Sequence, residues 1–457
     1  MVLPSGPVLD ASSAFLLLVT VLVFLLPLFT YFPPVPPSQR DALLETHSPI
    51  GLKPGDSGLQ SKQRGHVEAN GSSAKSMSGG KLKAHCEIRS LCIYPVKSCK
   101  GIEVRQSKVL PTGLEFDRLY TFAQLKSPFP LGVQATDEEK EAHKWEFITQ
   151  RQFPLLATVQ VDLYLPDAIK ANGRSTKVSD AFLLVRFPWQ EPGLRGALSW
   201  VAAKIARGRH AQPEKELLLP VAFPRPDEIE ARGYAYEQVT IWRESVTALN
   251  MEADLPQELR LYLGVSNRLG IFRIDPDRLR PVYRCAPTVD EAGYQPVTGF
   301  QDAYPLHLLN LSSVRDLDGK IDKDEAIRDL DPRRFRANII VDSGDTPYDE
   351  ETWKKIRFTP GPSSKRGAST FHVSCRTVRC KMPNVDPDNG HRHAVEPDRS
   401  LRKYREVDEG ARHKGCLGMQ LTPLFDETAS PEDMESWVEV GMCVEVLEQG
   451  SHFYIPQ

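Results

Sequence analysis

"IRSLCIYPVKSCKGIEV", residues 88–104, decides how the chain reads. It holds two short β-prone runs separated by a break that contains Pro95, Lys97, Ser98 and Gly101, so Lys97 and Ser98 sit in a strand-connecting loop. Loops carry binding and catalytic groups, yet a bare Lys-Ser pair is ordinarily a solvated turn. Downstream, "GLEFDRLYTFA" (113–123) and "EFITQRQFPLLATVQVDLYL" (146–165) are β-like stretches joined by a polar insertion at 126–144. Within "GALSWVAAKIARG" (196–208), Leu198, Val201, Ala202 and Ile205 recur at helical spacing. Further on, "YPLHLLNLSSVRDL" (304–317) suggests a strand and then a helix capped by Ser312 or Ser313. Strands are also expected in "RRFRANIIVD" (333–342), "WKKIRF" (353–358), "STFHVSCRTVRC" (369–380) and "MCVEVLE" (442–448). The fold class expected is strand-rich α+β, and 457 residues imply two domains or more.

The net charge of -3, from 57 basic and 60 acidic side chains, gives no field that would recruit nucleic acid. Eight cysteines lack the dense spacing of a secreted disulfide scaffold and read mostly as reduced thiols. "AFLLLVTVLVFLLPLFTYF" (14–32) is 19 residues without a charge, about 28 Å as a helix against roughly 30 Å of hydrocarbon core. A signal peptide is disfavoured by Asp10, by the missing basic n-region and by the absence of a small-residue cleavage pattern. Residues 1–37 are therefore expected to form a single-pass anchor, with membrane lipid as a partner. Basic residues from Arg40 to Lys83 place the soluble bulk in the cytosol. In that orientation the acceptor motif at Asn70 stays unglycosylated. Residues 38–84, rich in Pro, Ser, Gly and Lys, are expected to be a disordered tether.

"SCRTVRCKMPNVDPDNG" (374–390) contains the residue with the most open chemistry, Cys380, which by residue type alone is a metal ligand, a nucleophile, half of a disulfide or a core thiol. Zinc is weakened because Cys375 and Cys380 have no closely spaced second pair. "DPDNG" brings its glycine one position early for a calcium loop. "GGKL" at 79–82 lacks the Ser or Thr of a phosphate loop, and there is no nicotinamide, flavin or haem motif.

Taken in order, "IYPVKSCKGIEV", "FDRLYTF", "FRANIIVD", "YDEETWKKIRF", "RCKMPNVDPDNG" and "LRKYREVD" resemble the two-domain MOSC proteins, and among them the mitochondrial amidoxime-reducing components. The resemblance runs from about Ile88 to Glu448. It implies a MOSC N-terminal β-barrel-like domain at 85–245, a connecting segment at 246–284 and a MOSC β-barrel domain at 285–457. It also implies a molybdenum cofactor, a pterin dithiolene with Cys380 as a thiolate ligand to molybdenum. A soft thiolate suits that metal, and Arg379 and Arg376 nearby would favour its deprotonated form. Lys97, Ser98 and Arg118 would hold the pterin phosphate through point charge, hydroxyl and guanidinium fork. Arg336 and Asn338 would hold the pterin from the second domain, and Asp386 is carried over as catalytic, beside the cofactor with Asp388.

The activity implied is reduction of small N-hydroxylated compounds (amidoximes, hydroxylamines, N-oxides). Cytochrome b5 and its NADH-dependent reductase would be the electron donors, at the mitochondrial outer membrane or, as the second choice, the endoplasmic reticulum. Two other readings stay open: a carrier of the molybdenum cofactor without turnover, and a sulfur carrier with a persulfide on Cys380. No lysine sits in a context that supports pyridoxal phosphate.

Overall fold

The computed structural model describes residues 10–31, 38–53, 55–59, 86–132, 134–171, 180–209, 211–361, 364, 366–426, 430 and 433–455. Strands dominate it, as the alternating stretches require. Tyr120–Lys126, Lys144–Phe147, Ala235–Ile241, Glu244–Asn250 and Leu269–Ile274 close into a five-stranded barrel, sealed by parallel pairing of Val239 with Trp145. Trp145 and Phe272 fill its interior edge to face, 5.1 Å apart. Such aromatic pairs add about 0.5–1.5 kcal/mol beyond the apolar area they bury. A four-stranded sheet, His47–Ile50, Gln160–Pro166, Phe182–Pro188 and Glu214–Pro220, packs into the same core as the barrel's neighbours.

The larger sheet has eight strands, in the order Ile339–Asp342, Leu306–Asn310, Cys416–Leu424, Ser369–Val378, Trp353–Thr359, Cys443–Gln449, Glu87–Ile93 and Ile102–Val104. Glu87–Ile93 also pairs with Ile339–Asp342, which curls the sheet back on itself. Along Ser369–Val378 alternate residues point inward, burying Phe371, Val373 and Cys375. Two register shifts, after Val373 and after Arg376, bend the end of that strand, as bulges do. The bend delivers Arg379 and Cys380 to the region between barrel and sheet.

Several expectations are corrected here. The segment 246–284 is no connector, because Glu244–Asn250 forms a hairpin with Ala235–Ile241 and Leu269–Ile274 is a barrel strand. The expected tether at 38–84 is partly ordered: Ser38 caps a helix at Gln39–Leu44, and His47–Ile50 pairs antiparallel with Gln160–Pro166. The motif at Asn70 lies outside the described residues. A helix does form over Ala11–Tyr31. Among the described residues, however, no helix is long and apolar enough to cross a membrane, so the expected single-pass anchor is not supported. The helix after Leu306–Asn310 is capped by Asn310, whose side chain accepts the Ser312 N–H, and not by either serine.

Candidate functional site

The pocket between barrel and sheet draws its lining from several parts of the chain: Lys97 and Ser98 from the loop joining sheet strands Glu87–Ile93 and Ile102–Val104, Arg118 from just ahead of barrel strand Tyr120–Lys126, Arg336 and Asn338 from just ahead of sheet strand Ile339–Asp342, and Arg379 with Cys380 from the bent strand end. Seven of the eight candidate residues are thus brought together. Four lining residues, Ser98, Arg118, Trp242 and Arg336, have left-handed backbone with φ between 51° and 68°. A non-glycine residue held there costs on the order of 1 kcal/mol or more and persists only where surrounding structure enforces it.

Local bonding explains how each is held. The loop carrying Lys97 and Ser98 is fixed by the Lys97 N–H donating to Tyr120 O and by Gln150 donating to Ser98 O. Lys97 Nζ donates to Phe300 O at 2.7 Å and to Asp302 at 2.6 Å. Burial pushes the Lys97 ammonium down to about 8, although Asp302 opposes that shift. Burial alone would raise the Asp302 carboxyl, but Lys97 and the Trp242 indole N–H hold it well below the usual carboxylate range. Asp302 lies deep among protein atoms yet 55% of its side chain is open to the pocket's water, so the ion pair is only half desolvated.

Arg118 spends its charge on Asp117, and its Nη1 donates to Asn338 Oδ1 at 3.1 Å. Arg336 is different. It donates once, to Cys99 O at 2.7 Å, stacks 4.2 Å over the Tyr94 ring, and leaves a buried Nη2 without a partner. Burial, with Arg118 nearby, holds its guanidinium below the ordinary range. Arg379 donates to Leu417 O and Phe335 O and contacts His307 Nε2 at 2.5 Å. Burial pushes it down to about 10. Neither Arg336 nor Arg379 has a carboxylate partner among the described residues. A buried guanidinium without one is unstable unless an anion compensates it. The pocket is therefore an anion site with a thiol at its edge: Cys380 is half-buried, and among the described residues its sulfur receives only the Met382 N–H, at 3.5 Å.

Asp386, carried over as catalytic, does not line the pocket. Its Oδ2 pairs at 2.9 Å with the buried Arg334, and its Oδ1 accepts the N–H groups of Asp388 and Asn389. The physical reason is that Arg334 needs a counter-ion and the turn needs an acceptor. Asp388 pairs with Arg333 at 2.6 Å. Arg376 likewise points elsewhere, to Glu351 and Asp408. Composition and spacing missed Asp302, His307, Arg151 and Trp242, all pocket residues. Arg151 stacks 4.2 Å over the Trp242 ring at the mouth. For Trp242, the turn between two β-prone runs in "TIWRES" (240–245) is a local signal.

The comparisons agree with this architecture. Residues 85–188 match the MOSC N-terminal beta barrel domain and residues 295–445 match the MOSC domain. The chain is 24% identical over 377 residues to a molybdenum cofactor sulfurase of Oryza sativa subsp. japonica, covering 80% of this chain and 36% of that protein. It is 23% identical over 325 residues to mitochondrial amidoxime-reducing component 1 of Mus musculus, covering 70% of this chain and 72% of the relative. It is 29% identical over 350 residues to mitochondrial amidoxime reducing component 2 of Macaca fascicularis, covering 76% and 80%. With both domains matched in order around the pocket that their strands build, the chain belongs to the MOSC proteins that carry a MOSC N-terminal β-barrel domain followed by a MOSC domain.

Proposed function

We propose that the chain is a molybdenum-cofactor oxidoreductase that reduces small N-hydroxylated compounds, amidoximes among them. The observation that carries this reading is the meeting of Cys380 with the unpartnered Nη2 of Arg336 and the carboxylate-free Arg379 in one pocket. An anionic pterin with a thiophilic metal fits that donor set: soft sulfur at one point, uncompensated guanidinium at two. When bound, the group would supply a redox-active metal able to accept oxygen from nitrogen.

The chain's own residues divide the remaining work. Cys380 would present its sulfur as the metal ligand. Arg336, Arg379 and the Ser98 hydroxyl would hold the anionic part, with Asn338 fixing Arg118 behind them. Lys97, brought down to about 8 and bonded to Asp302, can hold or release a proton near neutral pH at Nζ. Trp242 and Arg151 would screen the mouth and give a flat surface to an aromatic substrate. Asp386 is assigned to the turn and to Arg334, not to chemistry.

Electrons would come from cytochrome b5 and its NADH-dependent reductase. Mitochondrial association is proposed from the amidoxime-reducing relatives. Exposed Phe15, Leu22 and Phe24 favour contact of the first helix with membrane lipid. The similarity to molybdenum cofactor sulfurases favours one second reading, a persulfide carried on Cys380. Metal analysis together with benzamidoxime reduction separates them. Molybdenum with turnover supports the reductase, molybdenum without turnover a carrier, and sulfane sulfur without metal the sulfur carrier.

A further inference from the structure

Between strands Phe182–Pro188 and Glu214–Pro220 the chain leaves the sheet and forms the helix Gly193–Arg207. Its sequence, GLRGALSWVAAKIAR, holds three basic residues and no acidic one. At 3.6 residues per turn, Leu194, Leu198, Val201 and Ile205 fall within about 60° of arc on one face. That face is turned away from the body: Leu194 is 84% exposed and Ile205 81%, and Leu198 and Val201 are exposed as well. On the opposite side Gly196 is buried, and Ser199 and Ala203 are half-buried.

Charge is arranged along the edges of the apolar stripe. Arg195 borders it on one side and Lys204 on the other, each roughly 90° from its centre. Lys204 Nζ sits 4.5 Å over the ring of the exposed Trp200 and donates to Arg209 O at 2.6 Å. Long cationic side chains and an indole at the border of an apolar face suit a lipid headgroup layer, with stems in the apolar zone and charged heads in water. The acidic groups at the helix ends are already paired, Glu191 with Lys215 at 3.7 Å and Glu214 with Arg207 at 3.5 Å. A second copy of the helix laid on this stripe would instead bring two cationic borders together.

Connectivity points to the same occupant. Arg207 Nη2 lies 4.0 Å from one oxygen of Glu216, whose other oxygen accepts the Gln39 N–H at 2.6 Å. Gln39 is eight positions after Tyr31, the end of the exposed apolar helix Ala11–Tyr31, and eight positions of chain reach at most about 29 Å. Two exposed apolar helices are therefore joined to the body beside one carboxylate.

We infer that Gly193–Arg207 lies flat on an anionic phospholipid surface, with Leu194, Leu198, Val201 and Ile205 in the acyl boundary and Arg195 and Lys204 among the lipid phosphates. The contact is peripheral, since the helix presents one apolar face and not an apolar circumference. It is independent of what the pocket binds. It shares with the proposed function only the presence of lipid at the first helix, which the test scores separately.

The test uses the full chain and follows amide hydrogen exchange by mass spectrometry. Three conditions are compared: vesicles of equal parts phosphatidylcholine and phosphatidylserine, vesicles of phosphatidylcholine alone, and no lipid. Exchange over 194–205 should slow several-fold on the anionic vesicles and much less on phosphatidylcholine. Acyl chains brominated near the headgroup should quench Trp200, and Trp200→Phe should lose that quenching. Arg195→Gln and Lys204→Gln should each reduce the protection by up to about fivefold. Leu198→Asp combined with Ile205→Asp should abolish it while leaving 11–24 as in the parent and the melting temperature unchanged, because both side chains are exposed. Unchanged exchange over 194–205 on anionic vesicles overturns the inference even where 11–24 is protected. Protection of 194–205 without 11–24 sustains it and removes the lipid contact of the first helix instead. Equal protection on phosphatidylcholine alone overturns the anionic surface, and protection that grows with protein concentration in the absence of lipid assigns the face to a second copy and overturns the inference too. The first measurement needs no variant, so a variant that fails to fold leaves the inference open to refutation.

Discussion

Arg379 Nη2 lies 2.5 Å from His307 Nε2, a contact in which the imidazole can only accept. His307 therefore carries its proton on Nδ1 and is neutral. Burial, and then the charges of Arg379 and Arg118, hold it well below the ordinary histidine range. The folded state thus refuses a proton that the unfolded chain takes up near pH 6.5. Stability from this site is present above that pH and is lost as pH falls below it, by up to about 1.4 kcal/mol per unit. Urea unfolding from pH 7 to 5 should show this slope, and His307→Gln, which still accepts from Arg379, should remove about one proton's worth of it.

The same contact depends on Gly418. Its φ is +80°, and a Cβ there would stand 2.5 Å from both His307 Nε2 and Leu308 O. Gly418→Ala should lower the unfolding free energy by about 1–3 kcal/mol and loosen Arg379, read as a lower melting temperature together with weaker anion retention. A variant as stable as the parent would refute the packing argument.

Arg336→Met should act in opposite directions on two measurements. Without ligand the variant should be as stable as the parent or more so, since it removes a buried charge with an unpartnered Nη2. Cofactor retention should fall by about 1.5–3 kcal/mol, the scale of a charge-assisted hydrogen bond. Loss of stability with unchanged retention would make Arg336 a structural residue.

Cys380→Ser should abolish molybdenum retention and N-hydroxy reduction while leaving the melting temperature unchanged, because among the described residues the sulfur takes part in one long hydrogen bond, from the Met382 N–H. The hydroxyl is close in size but harder and far less acidic. Residual activity near that of the parent would sink the ligand assignment.

Lys97 gives the pocket a pH dependence. Its ammonium is charged below about pH 8 and neutral above, so it assists an anion only on the acid side. Retention of the cofactor, followed by gel filtration and metal analysis, should be level up to pH 7 and weaken above 8 by as much as about tenfold per unit. In Lys97→Met the profile should be weaker and flat over that range.

What could be seen beforehand depended on whether the signal was local. The break holding Lys97 and Ser98 stands out by its proline and glycine, and the block around Cys380 by its resemblance. The helical spacing of Leu198, Val201 and Ile205 does form a helix, Gly193–Arg207, but those side chains are exposed, since periodicity names an element and not its partner. Asp302 pairs with Lys97 across 205 positions, and no short-range pattern announces such a contact. The segment 246–284 reads as a connector although Glu244–Asn250 pairs with the strand just before it; Leu269–Ile274 finds a partner far off, Tyr120–Lys126. Asp386 was legible as a conspicuous carboxylate in a turn; that Arg334 claims it depends on burial, which sequence does not display.

Glu87–Ile93 lies against Ile339–Asp342, and its first residue meets Cys443 near the other end of the chain. On the ribosome this early strand leaves the exit tunnel long before either neighbour exists. The early strand can pair with Ile102–Val104 at once, but its other edge waits open, of the kind that invites wrong partners. The pocket, whose walls run in sequence from Lys97 to Gln420, can close only after the last of them has been made. Whatever ligand it takes must be loaded after all of these walls have been made, and a truncation that spares every pocket residue but removes Cys443–Gln449 would leave the seam open.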